Sequence, residues 1–453
     1  MSTSATVLRD QWAPEKILRR PERQSVPRPT TVARYLLVVT LMAAPSAFGS
    51  VQTWAWASLA VIAAALLFLW AMGCAQSQAV AIRWSPLYVP AVLYLLLGVG
   101  QIARHVTVDP FATREALIKL LTSFVFLFLA VQLSADAPAR MWKRFGLAVV
   151  IYAFSISLFA IIQYFTSYGL IYWKISAAGG YGFGPYVNHN NYAGLMEMLI
   201  PICMCYALYR CLRNPNQMLL LFGVCGAIGS LLLSGSRGGM ISVGVEIFIL
   251  GFIIWRWNIN RGDVRKWRVI GLVGAAGLAV VLFAVTPNSG WKRMATIAGV
   301  VQKPDVTLEN RLTVSRDALA ELRDYRWLGT GLGTFDTVFP QYQTFATDLA
   351  WTHAHNDYVE ALTETGIVGG LIILSGLLLL GWLVFRRLRE RTYDVRWWIQ
   401  LGAALGCCGL LIHSFADFNL HIPANMAWFA VCAGISIAPA ADSRPKGGSP
   451  ANQ

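Results

Sequence analysis

The chain has 453 residues, of which 56% are hydrophobic and only 13% charged, against roughly 25% charged in an ordinary globular protein. With a mean hydropathy of +0.53, this composition excludes a water-soluble enzyme, a disordered chain and a disulfide-rich secreted domain, and leaves a polytopic membrane protein. The formal net charge of +14 does not point to nucleic acid, because no basic face interleaved with aromatics accompanies it.

In chain order, residues 1–34 read as a disordered basic leader. Twelve apolar segments follow, at about 35–50, 54–73, 86–103, 115–133, 145–166, 192–210, 217–234, 239–255, 269–286, 358–385, 397–413 and 421–438. Each is near the ~20 residues that a bilayer core requires of a helix. Residues 35–438 thus form one transmembrane domain, with a long external segment at 287–357, and residues 439–453 form a disordered tail. Most of the 37 Lys and Arg fall in the leader and in alternate loops, such as the cluster Arg386, Arg387, Arg389 and Arg391. That bias and the even helix count predict a non-cleaved anchor with both termini cytoplasmic. The positive charge is an orientation signal that meets anionic headgroups. The eight cysteines lie in or beside apolar runs without a CxxC pair and read as packing residues.

All six histidines, His105, His189, His353, His355, His413 and His421, fall on or near the predicted external face. Asn188–Asn191, the stretch 234–239 around Arg237, the 287–357 segment and the His413–His421 stretch share it. Residues 311–326 (RLTVSRDALAELRDYR) predict an amphipathic helix with Leu312, Leu319 and Leu322 towards one side and basic Arg311, Arg316, Arg323 and Arg326. The GTGLGTF stretch after it lacks the strand and helix of a dinucleotide fingerprint and reads as a tight turn.

Residues 353–360 (HAHNDYVE) open the tenth apolar segment, and three readings compete. His353, His355, Asp357 and Glu360 carry metal-ligand types, but His353 and His355 are two apart, which points them to opposite sides unless the backbone is extended, and HExxH is absent. They also suit a solvated helix cap, and an external imidazole titrating near neutrality suits a general base. We expect no metal and no cofactor. Arg237, in GSRGG between two apolar spans, is costly near bilayer depth. Its guanidinium and the amides of the following helix suit a phosphate or diphosphate; the alternative is an arginine that snorkels to headgroups or pairs with Glu197 or Glu246.

GPYVNHNNYAGLMEMLIP (184–201), LSGSRGGMISV (233–243), NRLTVSRDAL with LGTGLGTF (310–335), HNDYVEALTETGIVGG (355–370) and HSFADFNLHIPAN (413–425) together resemble the O-antigen ligase/polymerase superfamily of bacterial inner-membrane glycosyltransferases. The resemblance implies an all-α, GT-C-like fold with a large periplasmic loop between the ninth and tenth helices, and an active site at the periplasmic face of the inner membrane. It implies transfer of a glycan from undecaprenyl diphosphate, without metal, to an acceptor hydroxyl. Lipid A-core is the acceptor in ligases and a second lipid-linked glycan in polymerases of O-antigen or exopolysaccharide; other members transfer to protein. His355 matches the family's essential histidine, and Arg237 and Arg311 its essential arginines. His355 then acts as base and the arginines clamp the departing diphosphate. Asp357 or Glu360 is expected to orient His355 or bind sugar, and His189, Asn190, His353, His413 and Asp417 to contact sugar or diphosphate; His353 is the rival base. A lipid or polysaccharide transporter that forms no bond is the contrasting class.

Overall fold

The computed structural model describes residues 26–77, 82–176, 182–256, 306–346 and 350–439. Within them lie α1 (Arg28–Ala43), α2 (Thr53–Gln76), α3 (Tyr88–Ala103), α4 (Pro110–Ala135), α5 (Ala139–Thr166), α6 (His189–Cys211), α7 (Leu219–Ser234) and α8 (Arg237–Arg256). After the residues not described come α9 (Val306–Ala320), α10 (Phe335–Val338), α11 (Asp357–Leu388), α12 (Val395–His413) and α13 (Pro423–Ile437). The only sheet among the described residues is a hairpin pairing Leu170 with Ser176 and Ile171 with Ile175.

Helices α2, α4, α5, α6, α8, α11 and α12 are long and apolar enough to cross a membrane, and α3, α7 and α13 are shorter apolar helices. The protein is an all-α membrane protein. Every expected apolar segment overlaps a helix except 269–286, which lies outside the described residues, as do 287–305 and 347–349 of the expected loop and 440–453 of the tail. The first segment needs correction. Its helix begins at Arg28, inside the expected leader, with Pro29 in the first turn, where a fixed φ favours helix and the missing N–H costs nothing. It ends at Ala43, and short 3-10 turns at 44–46 and 48–50, the second containing Gly49 at φ 69°, replace the expected continuation to residue 50.

Helix α6 forms the centre of the bundle, its side chains from Asn190 to Cys203 all buried. Helix α12 lies along it in backbone contact: a Cβ on Gly402 would sit 2.6 Å from Ile202 Cα, and one on Gly406 2.8 Å from Met198 Cα. Small residues permit such an approach where no water drives helices together. At the other extreme, α11 exposes Leu371, Leu374, Leu378, Trp382 and Phe385, an apolar flank suited to lipid. Asn188 caps α6 and Asn356 caps α11, each accepting N–H groups of the first turn.

The loop helix differs from its sequence pattern. It runs from Val306 to Ala320 and tightens into a 3-10 turn at Glu321–Arg323, and Leu312 and Leu319 are exposed rather than packed. Its buried stripe is Val314, Asp317, Ala318 and Glu321, a helical spacing built from smaller or polar groups. The reason is its neighbour: Val314 and Ala318 pack on Phe335, Phe339 and Ala354, and Asp317 Oδ2 accepts the amide and hydroxyl of Thr344, each at 2.8 Å. The helix therefore lies on protein. Arg311 falls on the same stripe and is partly buried, whereas Arg316, Arg323 and Arg326 face outward.

Helix α11 is interrupted at Gly366, at φ 62° and ψ −168°. The glycine turn docks into the break: Thr330 N–H donates to Thr363 O at 3.1 Å, and Gly331 N–H to Glu364 O at 3.0 Å. In return Ile367 N–H donates to Arg326 O at 3.0 Å and Val368 N–H to Trp327 O at 3.2 Å. The expected tight turn is present, with Gly329, Gly331 and Gly333 all at positive φ, and its purpose is to satisfy the backbone groups that the broken helix frees. Gly366→Ala would put a Cβ 2.4 Å from Trp327 C, in a backbone region that costs other residues about 1–3 kcal/mol. Thermal unfolding of the detergent-purified variant should occur at a clearly lower temperature than wild type. An unchanged midpoint would mean that the turn is not docked there.

Candidate functional site

The site forms where the start of α11, the end of α12 and the loop helix α9 meet. Asn356 Oδ1 accepts the amides of Tyr358 and Val359, both at 3.1 Å. Asp357 N–H donates to Ser414 O at 2.9 Å, so the first turn of α11 is tied to the turn after α12. His355 precedes this cap with φ 49°, a left-handed conformation uncommon for a residue with a side chain. The two nearby imidazoles diverge, as their spacing suggests. His355 Nδ1 lies 3.6 Å from Asp417 Oδ1, while His353 Nδ1 lies 2.7 Å from Glu360 Oε1.

Asp417 is completely buried, yet two basic side chains converge on it. Arg311 Nη1 approaches Asp417 Oδ2 at 3.7 Å and donates to Ala416 O at 2.8 Å. Burial by itself would raise the Asp417 carboxyl, but His355 and Arg311, with His413 beyond them, hold it below the usual carboxylate range. It is therefore an anion at neutral pH. Trp351 and Phe418 wall the His355 ring, edge to face, at centroid distances of 5.6 and 4.9 Å. His355 stays about a fifth exposed, which leaves it open to a ligand.

Behind Asp417, His413 is buried and its Nδ1 lies 2.7 Å from Glu197 Oε1 and 3.2 Å from Asn419 Nδ2. Helix α8 starts against this group: a Cβ on Gly238 would sit 2.5 Å from His413 Nε2. Arg237, the first residue of α8 and half-buried, thus belongs to the same end of the bundle as His355. Glu197 is engaged by His413.

A second cluster lies on the other side of Phe418, on which His353 stacks at 4.2 Å. His421 Nδ1 is 2.7 Å from Asp357 Oδ1, and its Nε2 is 3.2 Å from Glu360 Oε1. Burial alone would lower the His421 pKa, but Glu360 and Asp357 push it up to about 10. Glu360 Oε2 accepts the Ala354 amide at 2.8 Å.

The structure thus brings together His355, Arg311 and Asp417, and sets Arg237 at the same end. The other expected site residues sit in pairings of their own. Asp357 and Glu360 do not orient His355, because His421 and His353 occupy them; Asp417 faces His355 instead. His413 and Asp417 are buried, so in this arrangement they hold other side chains rather than face a sugar. The set His353, His355, Asp357 and Glu360 is split, with His355 apart. His189 and Asn190 open α6 beside the same stretch, where Asn425 Nδ2 donates to Asn191 O at 2.8 Å. Sequence reasoning missed the pairing of His421 with Asp357 and the ring wall of Trp351 and Phe418. One signal was present: His413, Asp417 and His421 recur every four residues.

The chain is thus an all-helical membrane protein with an arginine–carboxylate–imidazole cluster at one end of its bundle. Residues 219–374 match the family model described as O-antigen ligase. This stretch, about a third of the chain, carries Arg237, Arg311, His353, His355, Asp357 and Glu360, and the match supports the O-antigen ligase/polymerase superfamily and its glycosyltransferase-like activity. No curated protein matches the chain.

The depressed Asp417 pKa has a defined consequence. A carboxyl that loses its proton more readily folded than unfolded stabilises the fold above its unfolded pKa of about 3.9 and ceases to do so as pH falls below it. The wild-type thermal midpoint should drop as pH falls below about 4. Asp417→Asn should melt lower than wild type at pH 7 and lose part of that acid dependence. Equal midpoints at pH 7 would deny the carboxylate its role.

Proposed function

We propose that the protein transfers a glycan from undecaprenyl diphosphate to an acceptor hydroxyl at the periplasmic face of the bacterial inner membrane, in ligation of O-antigen to lipid A-core. The observation that carries this reading is the convergence of His355 and Arg311 on buried Asp417. The O-antigen ligase match, which spans Arg237, Arg311 and His355, supports the substrate class. On this reading, twelve spans leave both termini in the cytoplasm and the loop of residues 287–357 outside.

The reaction follows from these groups. The acceptor hydroxyl attacks the anomeric carbon of the donor sugar, and the bond from that carbon to the diphosphate oxygen breaks. The hydroxyl proton passes to the imidazole nitrogen of His355 that faces away from Asp417. Asp417 is a positioning residue: its anion favours the tautomer with a proton on Nδ1 and stabilises the imidazolium that forms. The electron pair leaves on undecaprenyl diphosphate, whose growing charge Arg237 and Arg311 stabilise by paired hydrogen bonds. Displacement in one step inverts the anomeric centre. His189, Asn190 and the ring wall of Trp351 and Phe418 line the approach of the sugars. A protein that only moved lipid across the bilayer would need no base beside an arginine clamp.

The test is reconstitution of the purified full chain with lipid-linked glycan and either lipid A-core or a second lipid-linked glycan. Wild type should extend lipid A-core; extension of the second lipid-linked glycan alone would reassign the protein as a polymerase, and movement of lipid without a new bond as a transporter. His355→Ala should slow transfer by roughly 10²–10⁴-fold, and Arg237→Ala and Arg311→Ala by a comparable factor. Arg323→Ala and Arg326→Ala should stay near wild type, since both face outward. Equal losses at Arg311 and Arg323 would reduce the loop helix to a headgroup contact.

A further inference from the structure

The cluster beyond Phe418 has no part in this mechanism, and its geometry is that of a ligand set. Two stretches far apart in the chain supply its three groups: His353, just before α11, and Glu360, in the first turn of α11, come from one, and His421, in the 3-10 turn before α13, from the other. His353 Nδ1, Glu360 Oε1 and His421 Nε2 all lie within 4.8 Å of one another. Both nitrogens approach the same carboxylate oxygen, at 2.7 and 3.2 Å. Ligand atoms about 2.0–2.1 Å from a tetrahedral ion sit roughly 3.3 Å apart, so an ion is admitted by an opening of less than an ångström.

Each ligand is also aimed from behind. His421 Nδ1 is 2.7 Å from Asp357 Oδ1, which leaves Nε2 directed at the cluster, as in carboxylate–histidine–metal arrangements. Glu360 Oε2 is held by the Ala354 amide, leaving Oε1 free for the centre. The His353 ring is fixed by its stack on Phe418. Further buried carboxyl groups lie near the cluster: Glu321, Asp357, Glu360 and Glu364 are all buried, and neither Glu321 oxygen has a hydrogen-bond partner among the described residues. Glu321 and Glu364 interact electrostatically with Glu360. The side chains of His353 and His421 remain about a quarter exposed, which leaves room for a solvent ligand.

We propose that His353, Glu360 and His421 bind a divalent transition ion, with Zn²⁺ the best match to two imidazoles and a carboxylate, Asp357 supporting His421 from the outer shell. The ion ties the stretch before α11 to the turn before α13, and so fixes the backbone from which His355 meets Asp417. It also removes His353 from contention as the base. The site is structural, and its test does not depend on glycan transfer.

The full-length protein, purified in detergent and stripped with chelator, is titrated with Zn²⁺. One equivalent should bind with submicromolar affinity and raise the thermal midpoint. His353→Ala and His421→Ala should each abolish that binding, Asp357→Asn should weaken it about 10–100-fold, and His105→Ala, at an exposed histidine, should leave it unchanged. If a variant fails to fold, zinc-edge X-ray absorption of the wild type decides the matter, by showing two imidazole nitrogens and carboxylate oxygen around the ion. No stoichiometric zinc on the wild type, zinc bound without imidazole, or binding that survives both histidine substitutions would overturn the proposal.

Discussion

A carboxylate with no exposed surface is tolerated only when neighbouring charges and donors compensate its lost hydration. At Asp417 that compensation comes from Arg311 and His355, which lie 106 and 62 positions before it in sequence. One buried anion therefore selects the relative placement of three segments: the loop helix, the cap of α11 and the turn after α12. It draws Arg311 inward while Arg316 on the same helix faces outward, and Asp417 Oδ1 lies 3.6 Å from one nitrogen of His355. On the proposed mechanism, the other nitrogen takes the acceptor's proton.

The bundle around it is built to hold that point still. α12 lies against α6 with backbone in contact at Gly402 and Gly406, and the His413–Glu197 pair stitches the same two helices near the site. α11 reaches the site through a cap tied to Ser414, and its break at Gly366 is filled by the glycine turn that follows α9. The described part of the loop is thereby part of the folded body, which is what a site shared between loop and membrane helices requires.

Much of the fold was legible because its signal is local. Apolar runs longer than a soluble strand or helix needs marked the spans, and the glycines of GTGLGTF marked a turn. The cap at Asn356 was open to the same reasoning, since Asn ahead of an apolar run satisfies first-turn amides. Where the outcome depended on a distant neighbour, the local signal misled. The leucines of α9 marked the apolar side of an amphipathic helix, but the phenylalanines it meets accept Val314 and Ala318 instead. Asp357 and Glu360 are closest in sequence to His355, yet the positive φ of His355 turns it to Asp417. Arg28–Arg34 looked like leader because its charge hid a helix start at Arg28, with Pro29 in the first turn.

The account stands or falls on whether Asp417 acts through His355. A double-mutant cycle on the transfer rate measures this directly, comparing Asp417→Asn, His355→Ala and the double variant with wild type. If Asp417 serves by positioning the base, the double variant should be no slower than His355→Ala alone, because a carboxylate cannot orient an imidazole that is gone. Fully additive losses would mean that the two side chains contribute independently, and the shared reaction centre described here would not exist.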